Sequence, residues 1–161
     1  AEHAAGFIPM RITAKADYAV RATLELAAAE DGAPVKGERL SDAQDIPLQF
    51  LEHILLELKH AKIIRTKRGV HGGYWLARPA DEITVADVIR AVEGPLANIA
   101  DDPPEETSYP APAERLRDVW ISVLAVSLKE NEEVTLKDLT TGELPDEVAA
   151  LAADPDAWLH R

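Results

Sequence analysis

Within five positions, Gln49, Phe50, Glu52 and His53 present an amide, an aromatic edge, a carboxylate and an imidazole. Grouped near the start of a helix, such side chains suit the major groove of DNA, where each base pair shows a distinct pattern of donors and acceptors. Glu52 would accept from cytosine N4 or exclude other bases by repulsion. A second set follows. Lys59, Lys62, Arg65, Lys67, Arg68 and Arg78 occur in a stretch with no Asp or Glu between Glu57 and Asp81. Arg68 directly precedes Gly69-Val70-His71-Gly72-Gly73. That tip is narrow enough to carry it into a minor groove, whose concentrated negative potential favours arginine.

Those side chains need elements to hold them. Leu51, Ile54, Leu55 and Leu58 fall at i, i+3, i+4 and i+7. This single apolar stripe predicts a helix starting at Pro47, with Gln49, Glu52, His53 and His60 on the other face and Phe50 between the two. Proline suits a first helical position, where its missing N–H costs nothing. A shorter helix over roughly residues 36–44 is expected to bury Leu40 and Ala43. It stops at Asp45-Ile46-Pro47, where Asp45 tolerates the left-handed backbone of a sharp turn. Past the second helix, Ile63-Ile64-Arg65-Thr66-Lys67-Arg68 and Tyr74-Trp75-Leu76 flank the glycines as two strands flank a turn. Helix, three-residue turn, helix and hairpin predict a winged helix-turn-helix unit. Each part alone has a plainer reading, as an αα-hairpin, an ordinary turn, or lysines matched to a helix dipole. The combination is far more specific.

Four stretches together resemble a known family. They are Leu51-Glu52-His53-Ile54-Leu55, the wing Arg68-Gly69-x-x-Gly72-Gly73-Tyr74, the run from Ile83 to Leu96, and the opening from Met10 to Arg21. These are similar to the bacterial winged-helix regulators of the IscR, NsrR and CymR group, the Rrf2 family, from Met10 to about residue 140. The resemblance implies a mainly α fold with a small β-hairpin wing and a long dimerisation helix, working as a dimer on double-stranded operator DNA. It implies base contacts from Gln49, Phe50, Glu52 and His53, and wing insertion at Arg68 beside Gly69, Gly72, Gly73 and Tyr74. Lys67 and His71 are assigned to the wing as well, and Arg11, Lys15 and Lys59 are candidate phosphate contacts. Asp45 stands where many members have Gly, and His53 where many have Gln, so base preference does not carry over. Asp17 falls where cluster-binding members place a non-cysteine ligand. With no cysteine in the sequence, it reads instead as a first-turn acid facing a helix dipole.

The sequence has 161 residues and a net charge of −12, which taken globally opposes DNA binding. Dividing the chain removes the conflict. Residues 1–80 carry 11 basic and 10 acidic side chains, a charge of +1, whereas residues 81–161 carry 6 and 19, a charge of −13. The acidity is confined to the second half, where it keeps DNA off the wrong surface. Residues 1–9 read as a leader ahead of a native start at Met10, and residues 10–96 as the DNA-binding domain. Thr13 is expected to cap a first helix reaching about Glu30, with Tyr18, Ala22 and Leu26 facing the core. Thr84 and Asp87 form a near capping box. Val85, Val88, Ile89 and Val92 are expected to pack that helix against the wing and the first helix. Residues 97–112 hold acids and prolines and read as an extended loop. A long helix over 113–131 follows. Leu116, Val119, Trp120, Val123, Leu124 and Ser127 stripe it, and Ile121 and Leu128 widen the apolar surface. A helix apolar over so much of its circumference has two partners, one of them the same helix of a second subunit. Residues 132–161 are expected to form a helical tail, with short helices after Thr135 and Pro145.

Other chemistry finds no support. His3, His53, His60, His71 and His160 show no metal-ligand spacing. The glycine tip lacks the GK[ST] ending of a P-loop, and no Ser–His–Asp set has sequence context. No cofactor, resident metal or enzymatic activity is expected. No apolar run approaches the ~18 residues of a membrane span, so the expected location is the cytoplasm. Without cluster ligands, the resemblance points to cysteine-free, CymR-like members controlled by a partner protein or metabolite, in sulfur and cysteine metabolism or redox genes. A small-molecule pocket beneath Trp120 and the 97–112 loop is one alternative, and a winged helix that binds protein is another. A chain whose cluster-ligating cysteines had been replaced would read the same way.

Overall fold

The computed structural model describes residues 12–96 and 98–156. The expected leader, Met10, the candidate phosphate contact Arg11, residues 157–161 and the side chain of Ser127 lie outside the described residues. Thr13 opens the first helix by accepting a hydrogen bond from the Ala16 N–H at 3.1 Å, and α1 runs over Ala14–Ala28. It ends where Asp31 takes a left-handed conformation, φ 53°, in the turn Glu30–Gly32. Ala19, Ala22 and Leu26 face inward, with Tyr18 half-buried against the same core.

Two helices cross over α1. The shorter, α2, covers Gly37–Gln44, and Asp45 follows it in the left-handed region at φ 52° and ψ 49°. The Ile46 N–H closes the turn onto the Ser41 carbonyl at 3.0 Å. Pro47 stands just ahead of α3, which covers Leu48–His60, so it caps the helix and Leu48 takes the first position. Leu51, Ile54, Leu55 and Leu58 are all fully buried, each contributing about 2 kcal/mol of apolar burial. One expectation for α2 fails. Leu40 is buried but Ala43 is exposed, because the reversal at Asp45 turns Ile46 inward, and its larger side chain fills that part of the core.

The wing is an antiparallel pair, β1 (Ile64–Lys67) and β2 (Gly73–Leu76), in the register Ile64↔Leu76, Arg65↔Trp75, Thr66↔Tyr74 and Lys67↔Gly73. Ile63 and Ile64 are buried at its base. A third segment joins it. Val35 and Tyr74 exchange two backbone hydrogen bonds of 2.8 and 2.9 Å, so the segment entering α2 backs the wing like a one-residue strand.

The next helix, α4, covers Val85–Glu93 with a complete capping box between Thr84 and Asp87. Its main neighbours are α1, α3 and the later helix α5 (Leu116–Glu133). The wing instead leans on α1 and α3, which corrects the expected packing of α4 on the wing. The start of α5 is three residues later than expected, since Pro110 and Pro112 precede it and the Leu116 N–H still closes a turn onto the Ala113 carbonyl.

The chain then returns to the winged unit. Val85 N–H bonds the Val134 carbonyl and Leu136 N–H bonds the Ile83 carbonyl, both at 2.9 Å. A second capping box, Thr135 with Asp138, opens α6 (Leu136–Thr141). Leu136 is fully buried in the main core. The expected tail from residue 132 therefore divides: α6 belongs to the core, whereas α7 (Asp146–Ala153) buries no residue.

Candidate nucleic-acid interface

With its apolar stripe sunk in the core, α3 turns its first two turns outward. Gln49, Phe50, Glu52 and His53 are all exposed there, on one surface as the sequence predicts. Phe50 is steadied from α1. Its ring meets Tyr18 edge-on, 5.6 Å between centroids and 80° between planes, and the Arg21 guanidinium lies 4.9 Å over the Tyr18 ring. Arg21 also donates to the Gln44 carbonyl at 3.0 Å and pairs with Asp17 at 3.1 Å. One cation thus ties the end of α2, the face of α1 and, through Tyr18, the aromatic of α3. Sequence reasoning missed this bracket, because nothing in the spacing of Tyr18 and Phe50 shows that their helices cross.

The wing tip is set by backbone sterics. Gly69 has φ 111° and Gly73 φ 147°. Gly72 is needed for a different reason: a Cβ there would overlap the Lys67 carbonyl oxygen. Gly72 N–H bonds the Gly69 carbonyl at 3.0 Å to close the turn, and the Lys36 ammonium donates to the same carbonyl from outside. Arg68 lies immediately after β1, with Lys67 and His71 beside it, all exposed. Tyr74 is half-buried within the wing rather than presented at the tip. Its hydrogen bonds to Val35 make it a support for the wing.

Two candidate phosphate contacts stand in other company. Lys15 is paired with Glu57 of α3 at 2.9 Å, so its charge is matched within the fold. Lys59 lies in the last turn of α3, ten residues and roughly 15 Å along the axis from Gln49. With Lys62, Arg65 and Arg78 it lines a cleft at the base of the wing. Lys59, Lys62, Arg65, Lys67 and Arg68 have no acidic partner among the described residues. Of the six cations between Glu57 and Asp81, only Arg78 leans on a carboxylate, Asp87, at 3.9 Å.

The long helix α5 presents Val119 and Trp120, exposed by 52 % and 42 %, with Leu116 and Val123 half-buried. Leu124 is buried within its own subunit, and Leu128 packs on the cluster of Ala16, Ala86, Ile89 and Leu96. Leu124 therefore belongs to the inner seam of α5 and not to the open face. The described clefts lie away from Trp120.

A helix-turn-helix with exposed polar residues on its second helix, followed by a cationic glycine-tipped hairpin, defines a winged-helix DNA-binding protein. The chain belongs to the Rrf2 family of transcriptional regulators: the family model described as "Iron-dependent Transcriptional regulator" matches residues 12–142. A protein of Mycobacterium tuberculosis whose name describes an HTH-type transcriptional regulator is 47 % identical over 145 residues, covering 90 % of each chain. The HTH-type transcriptional regulator CymR of Bacillus subtilis is 29 % identical over 132 residues, 82 % of this chain and 91 % of that one. The solved structure of CymR, described as the global cysteine regulator of that organism, superposes with a TM-score of 0.70 at 27 % identity, covering 83 % of this chain and 98 % of that one. The IscR structure from T. potens shares the fold, with a TM-score of 0.62 at 24 % identity over 94 % of this chain and 93 % of that one.

The family description invokes iron, and the residues here do not fit a thiolate-held centre. The sequence contains no cysteine. Asp17 is committed to Arg21, and no group of three or more His, Asp or Glu among the described residues is placed to hold a metal. No helix among the described residues is long and apolar enough to cross a membrane.

Proposed function

We propose that this regulator is a cytoplasmic homodimeric repressor that reads a pseudo-palindromic operator and responds to a metabolite or partner protein. The observation that carries the reading is that Gln49, Phe50, Glu52 and His53 are all exposed on the first turns of α3 while the wing cations Lys67 and Arg68 have no acidic partner among the described residues. Each α3 enters a major groove, where Glu52 accepts from cytosine N4 and Gln49 bonds a base edge. His53 and Phe50 set shape and apolar contact. The wing places Arg68 in the flanking minor groove, with Lys67 and His71 on the phosphates. Val119 and Trp120 of α5, exposed on an apolar face, meet their copies across a two-fold axis. Two recognition helices then fall about 34 Å apart, one turn of B-DNA or a multiple of it. The dimer represses by occupying promoter DNA. Similarity to CymR supports a regulon that includes cysteine supply.

The test is titration of promoter DNA from its own and neighbouring genes over a salt series. Competitor-resistant binding at physiological salt, in the ~10⁻⁸–10⁻¹¹ M range typical of specific readers and weakening as salt rises, is the expected result. Affinity no better than for random duplex would refute it.

A further inference from the structure

At the end of α3 remote from Gln49 and Phe50, a cleft of 650 Å³ opens between the helix terminus and the outer face of the wing. Its walls carry Lys59, Lys62, Arg65 and Arg78, Trp75 supplies its apolar side, and no acidic residue lines it. Arg65 and Trp75 are register partners across β1 and β2, so guanidinium and indole share one face of the hairpin. Lys59, Lys62 and Arg65 have no acidic partner among the described residues. Lys62 is also held at φ 60°, directly after the helix cap Ala61. Glycine is the residue that adopts this conformation freely at a helix end. Lys62 places a cation there in a conformation that only a residue without a Cβ would adopt free of strain.

The chemistry of the lining narrows the occupant. An uncharged ring would leave the three cations uncompensated. A bare inorganic anion would leave the half-buried indole of Trp75 uncovered, and that surface gains from a flat apolar partner. We propose that the cleft binds a small planar anion, an aromatic or heterocyclic ring bearing a carboxylate or phosphate, as an effector of DNA binding. The ring stacks on Trp75, and the charged group is held by Lys62 and Arg65, with Lys59 and Arg78 at the rim. Effector action rests on the proposed DNA reading. The cleft spans the junction of α3 with β1, so a ligand there fixes the angle between recognition helix and wing.

Binding is tested on the full chain without DNA, so that its outcome is independent of the operator reading. The probes are adenosine 5′-monophosphate and 2-naphthoate, with inorganic phosphate and acetate as ringless controls. The readout is the Trp75 indole N–H resonance, assigned with Trp75→Phe. A saturable shift with at least one ring anion, and affinity weaker by about tenfold or more for the matching ringless anion, is expected. Lys62→Gly should weaken ligand binding by about tenfold while raising Tm, because it removes a cation and relieves the positive φ together. Arg65→Ala should weaken it similarly. Ligand should change operator affinity in the wild type and not in Arg65→Ala. The proposal is overturned if neither ring anion saturates below about 10 mM, if ringless anions bind as tightly, or if Lys62→Gly leaves affinity unchanged. It is overturned too if saturating ligand leaves operator affinity unchanged. A loss of operator affinity in Lys62→Gly as large as that of Arg68→Ala would assign the cleft to the DNA backbone instead.

Discussion

Arg68 leaves β1 beside a tip of three glycines and meets no carboxylate among the described residues. Its charge is therefore free for nucleic acid, and its narrow surroundings allow deep entry into a groove. Arg68→Ala should weaken specific operator binding by about 1–3 kcal/mol and reduce the salt slope by about one. Fluorescence anisotropy across a salt series measures both quantities, and unchanged affinity with an unchanged slope would remove Arg68 from the interface. Gly72 tests the tip itself. Because a Cβ there would overlap the Lys67 carbonyl oxygen, Gly72→Ala must remodel the turn that aims Arg68. Operator affinity should fall about as far as in Arg68→Ala, and Tm should fall as well, since Gly72 is buried and the overlap is with backbone atoms. A normal affinity would show that the wing geometry is not required.

At the scale of elements, α4 shows how a short helix is secured. Burial alone would raise the Asp87 pKa, but it is outweighed. The Thr84 backbone N–H, the Arg90 side chain, the Thr84 hydroxyl and the nearby Arg78 charge together hold the carboxyl below its ordinary value of 3.8. Arg90, bonded to Glu132 of α5 at 2.8 Å and to Asp87 at 3.1 Å, is raised above its usual range, with the Glu132 bond the main cause. A depressed carboxyl stabilises the fold above its unfolded pKa, and that stabilisation is lost as pH falls through the folded value. Asp87→Asn, which removes the charge but keeps an acceptor for the Thr84 N–H, should thus cost roughly 0.3–1 kcal/mol near neutrality. The gap in Tm between wild type and variant should hold down to about pH 4 and close below it. A gap that grew with acid would contradict the cap. This capping box is also an element that sequence reveals well, because Thr84 and Asp87 are local. So are the stripe of α3 and the glycine tip, and all three stand where their residues predict. Non-local features were illegible. The pairing of Val35 with Tyr74, the bracket of Arg21, Tyr18 and Phe50, and the return of Leu136 into the core depend on which elements cross. Ala43 was misplaced for the same reason: helical spacing alone does not show that a left-handed Asp45 brings Ile46 inward.

On the scale of the whole molecule, charge and apolar surface are segregated. The residues from 81 onward hold a charge of −13 against +1 for the first 80, so the electrostatic attraction for DNA comes from the first half of the chain. In the proposed dimer, the exposed Val119 and Trp120 of α5 form the contact that brings two such units together. Leu124 is committed to its own core, so a charge placed there would disturb folding and report nothing about assembly. Val119, half open to solvent at 52 %, separates the two effects. Val119→Asp should leave the thermal transition of the winged unit in place and shift the protein from dimer to monomer in analytical ultracentrifugation, because a carboxylate buried without a partner at a two-fold contact faces its own copy. Operator binding should then lose its second half-site, falling by about tenfold or more, while a single half-site duplex is bound as before. Persistence of the dimer with unaltered operator affinity would place the subunit contact elsewhere than α5, and the spacing of the two recognition helices would have to be rebuilt from another face.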